Sequence, residues 1–509
     1  MSLKFLFFFA LVSVSLSGFS QGLTSSPYSR YGLGDLQQPG LAQNFALGGA
    51  GIGWRADTLT PSYVNTLNPA SYAAMRITTI ETGLTSNTTQ FQGTGASTFV
   101  LNNTSFQYLA VGLPIKRWWG LSFGLMPYSN VGYNIHTTSS RDTIGIIDNY
   151  YQGTGGINKA YLGNGFKLLK KKYTERTGTE LCFGFNASYM FGAINEIRHV
   201  DYENPDYYDT RVDETLRVHD VAYDFGLQFK FRIDSAMRSN PKLVTGGAFD
   251  DHKHRDSVQV YNTFKIDSVH KSSFGKKYFV HHGDSTHLEK RRSRADIEDI
   301  TFSFGLTYAP PMGLASSEDY LARSFNEPSG YEIYKDTIIN NINHTTTTYI
   351  PAKMGFGLSI NRTYHWNLLA DFTYQKWNGF SVDQVNGGLV NSMQGSLGYQ
   401  FQKAQRGPYL SIVRYRFGLR YNESYVQFGD TRIVEAGLTF GAAFPVAISR
   451  VKHHEYDVNL YRNYSMINVS VELGQTGTTS NGLILENYAR VVIGFTINDR
   501  WFQHYKYND

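Results

Sequence analysis

Six charged residues near the C-terminus are spaced for electrostatic work. Arg414, Arg416, Arg420, Glu435, Glu472 and Arg490 all fall on one side of the period-two alternation of four successive candidate strands. Neighbouring strands lie about 4.8 Å apart, so these side chains are expected to meet as a ladder of ion pairs. Asp224, Lys230, Arg232 and Asp371 take the same side on earlier strands. Such a network either selects what passes or pins an internal segment, and the presence of both signs favours pinning.

A second group is six of the 14 histidines (His252, His254, His270, His281, His282 and His287), beside the basic run Lys290, Arg291, Arg292 and Arg294. Metal binding needs converging ligands, and no carboxylate or cysteine stands at a ligand spacing here. A flap with strands near 258–266 and 277–282 is expected, with no metal and no cofactor. The single cysteine, Cys182, lies in register with Gly184, Asn186 and Ser188 and has no activating base nearby in sequence. Ser, His and Asp occur without the spacing of a catalytic constellation, so the chain is not expected to be an enzyme.

The elements that must position these groups are strands. In 488–498, Ala489, Val491, Ile493, Phe495 and Ile497 point one way, while Tyr488, Arg490, Gly494, Thr496 and Asn498 point the other, Val492 being the apolar exception. At 219–233, Val221, Tyr223, Phe225, Leu227, Phe229 and Phe231 oppose Asp224, Gln228, Lys230 and Arg232; at 365–377, Leu368, Ala370 and Phe372 oppose Asn367, Asp371 and Gln375. One oily and one wet face, repeated along a chain of 509 residues with 36 Tyr, 34 Phe and 49 Gly, reads as an all-β transmembrane antiparallel barrel with lipid outside and a polar lumen.

Fourteen segments reach the roughly 9–11 residues that a tilted spanning strand needs: 77–90, 104–116, 119–133, 156–169, 179–198, 219–233, 300–309, 351–361, 365–377, 391–402, 410–421, 433–446, 464–475 and 485–498. Sixteen strands result if two segments of the 235–299 insertion also span. Connections at 117–118, 170–178, 362–364 and 403–409 are short, as periplasmic turns are; those at 134–155, 199–218 and 310–350 are long and read as outer loops. The insertion and 447–463 are long on the periplasmic side and break that parity.

Lys4, the apolar run 5–16 and the small residues Gly18 and Ser20 read as a secretory signal peptide, so 1–20 is expected to be removed and the barrel delivered to the outer membrane of a Gram-negative cell. The mild formal charge of +5 gives no reason to expect nucleic acid. Residues 21–76 do not alternate. Their glycines Gly48, Gly49, Gly51 and Gly53, and the pair Asn68 and Pro69, lack the strand and helix context of a dinucleotide loop, so this segment is expected to pack inside the barrel as a hatch. Residues 77–498 form the barrel, and 499–509 a periplasmic tail. Trp118, Trp119, Trp377, Trp501 and Phe502 are candidates for the aromatic girdle at the membrane interface. Pro114 and Pro127 are candidates for a break in the wall.

The order of Gly48-Gly49-Ala50-Gly51, then Asn68-Pro69-Ala70-Ser71, then a strand at 351–360 followed by Trp366, Asp371, Phe372 and Trp377, resembles the long-chain fatty acid transporter (FadL-like) outer-membrane family. Residues 27–34 (Pro27, Tyr28, Ser29, Arg30, Tyr31, Gly32, Leu33 and Gly34) and 498–502 resemble a Bacteroidota branch of it. The resemblance implies fourteen strands, a luminal hatch over 21–76, and hydrophobic ligands taken from outer loops and released sideways through the wall. Uptake of small, fatty-acid-like molecules, with outer-membrane lipid around the wall, is the first reading. Related barrels also serve as non-transporting subunits of assembly or secretion complexes, so the second is a subunit that docks periplasmic or outer-membrane proteins through the insertion and outer loops.

Overall fold

The computed structural model describes residues 26–55, 63–94, 97–142, 144–169, 178–204, 206–233, 268–271, 277–280, 300–326, 331–362, 365–403, 408–446 and 465–499. The alternating segments form antiparallel strands: β1 (Thr78–Gly93), β2 (Phe99–Lys116), β3 (Trp119–Arg141), β4 (Gly145–Lys167), β5 (Glu180–Tyr202), β6 (Asp209–Ile233), β7 (Ile300–Ala309), β8 (Met312–Asn326), β9 (Ile333–Ile350), β10 (Lys353–Arg362), β11 (Trp366–Gln375), β12 (Ser392–Gln402), β13 (Arg414–Phe428), β14 (Thr431–Val446), β15 (Ser465–Gly477) and β16 (Ile484–Asp499). β1 to β7 and β10 to β16 close a barrel of 14 strands, with β16 pairing along the whole of β1. Closure leaves the spanning wall without the unpaired backbone edge that lipid does not tolerate.

The alternation places side chains as expected. On β6, Val221, Tyr223, Phe225 and Phe229 are exposed on the outer surface, and Gln228 and Lys230 are buried within. On β11, Leu368 and Phe372 face out and Asn367, Asp371 and Gln375 are buried. Val492 is buried in the lumen, where it packs with Leu41, Ala42 and Phe45 of the hatch, which accounts for an apolar residue on the wet face.

The expected outer loops at 134–155, 199–218 and 310–350 are instead strand. β3 to β6 run on past the membrane, and the hairpin β8–β9 continues the wall above β7 and β10, pairing with β6 from Ser316–Val218 to Phe325–Asp209. Six strands thus rise as a fin at the distal end, opposite the end that holds the hatch junction and Asp499. Cross-strand charges stabilise it, among them Arg323–Asp213 at 2.9 Å and Arg217–Asp319 at 2.7 Å. Ionic pairs replaced the apolar period here, which is why the segments read as loops.

The wall is not continuous at its distal side. β2 pairs with β3 only from Leu109–Leu125 down to Lys116–Trp119, and register shifts fall at Pro114 and at Pro127, the two prolines singled out by sequence. Above Leu109 the strands part, and the hatch enters the seam: Asp35 and Leu36 pair with Asn130 and Ser129 of β3.

In the insertion, Ser268–Lys271 pairs with Lys277–Val280 as a short hairpin, so the strand expected at 277–282 is present in part; 258–266, five of the six histidines and the basic run lie outside the described residues, as do the signal peptide, 447–463, Trp501 and Phe502.

Candidate functional site

The hatch is built by two turns of the same chemistry. Ser26 and Asn68 each cap a 3₁₀ turn whose first residue is proline, accepting the amides of Tyr28 and Ala70; a side-chain acceptor followed by a residue with fixed φ and no N–H is a strong local start signal. Between them lie the short helix Ala42–Phe45 and the glycine run, in which Gly48 (φ 67°) and Gly49 (φ 89°) take the left-handed conformation that ends the helix. Leu41, Ala42, Leu47, Ala50 and Val64 are fully buried, so this segment forms the centre of the molecule.

Its backbone is bonded to the wall on all sides. The Asp371 carboxylate accepts the amides of Gly51 at 2.6 Å and Ile52 at 2.7 Å. Glu81 accepts Val64 N–H at 2.8 Å and the Gln43 amide at 3.0 Å. Ser470 donates to Ala42 O at 2.6 Å, Gly48 donates to Thr439 Oγ1 at 3.0 Å, and Asn68 Nδ2 donates to Ile52 O at 3.0 Å and to Leu227 O and Leu306 O on the wall. Arg55 pairs with Glu180 and donates to the Cys182 sulfur at 3.3 Å, while Lys167 meets the same Glu180 at 3.2 Å. Cys182 is thus a buried wall residue touching the hatch. Asp371 is the expected charge that proves to be a latch; Glu81, Glu180 and Arg55 were missed, since single charges in non-alternating or strand-end positions carry no pattern.

At six places where the hatch backbone comes closest to the wall backbone, the wall residue is glycine. A Cβ on Gly120, Gly165, Gly184, Gly305, Gly357 or Gly418 would lie under 3.0 Å from backbone atoms of Tyr72, Ala73, Pro69, Ile52, Gly53 or Gly48 respectively. These six sit on β3, β4, β5, β7, β10 and β13 and form a collar that lets two backbones meet closely. The composition showed many glycines; only the register shows that Gly120, Gly165 and Gly184 stand side by side on adjacent strands, as do Gly305 and Gly357.

The expected charge ladder divides in two. Arg420 binds Glu435 (Nη1 to Oε2 2.9 Å) and Glu472 (Nε to Oε1 3.0 Å), Tyr488 donates to Glu435 at 2.9 Å, and Arg490 reaches Glu472 at 3.4 Å. Among the described residues Arg416 meets no carboxylate at that range: it donates to Gln400 and Asn468, both at 2.8 Å, and Arg414 donates to Gln402 at 3.3 Å. The correction follows from strand partners, since the residues across from Arg416 on β12 and β14 are Gln400 and Gly441. Asp224 accepts from Asn186 at 2.7 Å, Lys230 is among the charges acting on Glu180, and Arg232 packs beside Gly178.

A cavity of about 160 Å³ remains between the hatch strap 26–39 and the wall, lined by Asp35, Gln38, Asn87, Lys353, Glu435 and Glu486 among others. Asp35 opens onto it but is enclosed by the barrel, and that enclosure together with Glu435 raises its carboxyl to about 6 against the pull of Arg490 and Arg420. Distal to the cavity, Leu33 joins Val131, Tyr133, Trp377, Leu389 and Tyr425 in an apolar cluster. Trp377, expected at the membrane interface, is wholly buried there: the 3₁₀ turn Trp377–Gly379 after β11 swings the ring inward onto Tyr425, centroids 4.6 Å apart. Trp118 and Trp119 are at the proximal wall end, stacked with Phe166.

Among solved structures, the barrel is similar to the CymD monoaromatic hydrocarbon channel (TM-score 0.47, 11% identity, 93% of this chain and 100% of that one). It is also similar to a Pseudomonas aeruginosa FadL homologue (0.48, 9%, 91% and 98%) and to the P. putida toluene transporter TodX (0.47, 12%, 91% and 98%). No curated protein matches the sequence. The family model described as BamG matches residues 1–273 and 293–508; with both the hatch and the barrel inside that match, the chain belongs to the BamG family.

Proposed function

We propose that this protein is a plugged, non-enzymatic barrel subunit of an outer-membrane protein assembly complex, which docks periplasmic partners through the 235–299 insertion and cell-surface partners through its fin. The observation that carries the reading is the glycine collar: a lumen whose wall and hatch meet backbone to backbone leaves a solute no open path along the barrel axis. The one cavity described between strap and wall is polar and charged, whereas sites for hydrophobic ligands are lined mostly by apolar side chains. Membership of the BamG family sits with this reading.

Uptake of small hydrophobic molecules is the second reading, favoured by the apolar cluster around Leu33, Trp377 and Tyr425, which lies between hatch and distal wall. One purification separates the two. The tagged full-length protein, isolated from outer membranes in mild detergent and analysed by mass spectrometry for proteins and lipids, is expected to bring down outer-membrane or periplasmic proteins in stoichiometric amounts, and to lose periplasmic ones when 236–298 is deleted. A lone barrel carrying a fatty acid or other apolar molecule overturns the assembly reading and supports uptake.

A further inference from the structure

Among the described residues, three strand edges stand open at the distal end, and two of them are guarded. A free edge is a template for pairing with another chain, and proteins blunt such edges with bulges, charges or a covering segment. β9 is bulged at three places in its pairing with β8, each time with the extra residue on β9, and it carries Lys335 and Asp336. The free side of β3 is covered at Ser129 and Asn130 by the hatch, with Ser26 N–H bonded to Gly132 O at 3.1 Å, and bears His136 and Arg141 beyond.

The third edge has none of these devices. From Phe99 to Phe106, β2 pairs in unbroken register with β1 on one side, and on the other no strand among the described residues pairs with it above Leu109. Residues 99–107 include no charge and no proline, and Phe99, Val100 and Phe106 are about half exposed (50%, 58% and 47%). The edge begins where the continuous oily band stops: Leu109 and Phe106 end that band on the outward row of β2, the exposed Thr104 and Asn102 follow, and Val100 stands alone beyond them. It therefore stands just outside the hydrocarbon, at the top of a seam.

We infer that the distal edge of β2 is a strand-acceptor site for an extended, ascending segment of another outer-membrane protein, which adds to the wall by main-chain pairing. The occupant is a different chain for a geometrical reason. Every copy in one membrane carries β2 descending, so two copies present parallel edges, and parallel pairing is the weaker per residue; an antiparallel match needs a strand that rises, as the ascending arm of a hairpin standing above a partner barrel does. This inference rests on the assembly reading and names where a partner barrel joins.

The test places a benzoylphenylalanine photocrosslinker in turn at Leu101, Asn103 and Ser105 of the full-length protein in its own outer membrane, with crosslinked residues mapped by mass spectrometry. The expected result is one other outer-membrane protein, crosslinked at positions that step backwards by two residues as the probe steps forward by two, which only antiparallel pairing produces. Asn103→Lys with Ser105→Lys puts on this edge the charges that the other two carry, and is expected to reduce the Leu101 crosslink at least tenfold in a barrel that still shifts on unheated gels as a folded one does. Crosslinks to lipid alone, to a second copy of this chain, or to positions without the stepped register overturn the inference. If that happens while the complex still co-purifies, the docking edge is wrong and the assembly reading stands; purification of the chain alone removes both.

Discussion

Asp371 concentrates in one side chain what holds the hatch: it lies on the lumen face of β11, is 9% exposed, and receives two adjacent backbone amides. Removing a charged acceptor from buried donors costs roughly 1.5–3 kcal/mol. Asp371→Ala is expected to raise hydrogen exchange at Gly51 and Ile52 by ten- to hundredfold and leave the amides of β11 protected; unchanged exchange at the two hatch amides would show that the latch is dispensable. Asp35 works in the opposite sense. Its carboxyl ordinarily titrates near 3.8 and is raised to about 6 in place, so the folded strap favours the protonated form. The strap is therefore held best below about pH 4 and loses that advantage as pH rises to 6. Exchange of residues 26–38, corrected for intrinsic rates, is expected to quicken over that window in the native protein and to be flat in Asp35→Asn. A native profile as flat as the variant's would count against it.

Strands and collar explain what could and could not be read in advance. Period-two alternation is local, so Val221 to Phe231 and Leu368 to Phe372 announce their faces without any partner. The fin strands were illegible because both faces are wet, so Arg211, Asp213 and Arg323 carry no alternation of polarity; Trp377 misled because its direction is set by a turn rather than by strand register. Gly184, Gly305 and Gly418 are ordinary strand glycines until the barrel closes and aligns them against one hatch. That alignment makes a prediction about the element. Gly184→Leu with Gly418→Leu overfills two opposed contacts, and overpacking of this kind costs about 1–3 kcal/mol per site, which a hatch seated by several such contacts does not survive in place. The native protein is expected to be silent in planar bilayers and the double variant to open steps of conductance; a silent, folded double variant would mean that the collar does not seal the lumen. The Arg420 cluster acts on the wall instead. Arg420→Met leaves Glu435 and Glu472 buried with Arg490 as the cation nearest to Glu472, a loss of about 3–5 kcal/mol, expected as a lower urea midpoint in detergent with the hatch latch intact.

At the scale of the whole molecule, the two ends of the barrel differ in what they can touch, and the assignment of ends is itself open to measurement. Both the hatch junction and the end of β16 lie proximally, so an even number of strands returns the chain to its starting side. The tallest extensions of the wall, those of the fin, are distal, and outer-membrane barrels carry their longer extensions on the extracellular side. The fin then faces the outside of the cell, and the strand ends that lead into the insertion and into 447–463, at Ile233 and Val446, lie at the periplasmic end. Cysteine labelling can check this without altering the native thiol, since Cys182 is buried. Ser139→Cys, on the exposed tip of the β3–β4 hairpin, is expected to react with a membrane-impermeant maleimide on intact cells. Lys403→Cys, in the exposed connection after β12, is expected to react only once the outer membrane has been permeabilised. The reverse pattern would turn the barrel over, move the fin into the periplasm, and place the open edge of β2 on the side where newly exported chains arrive.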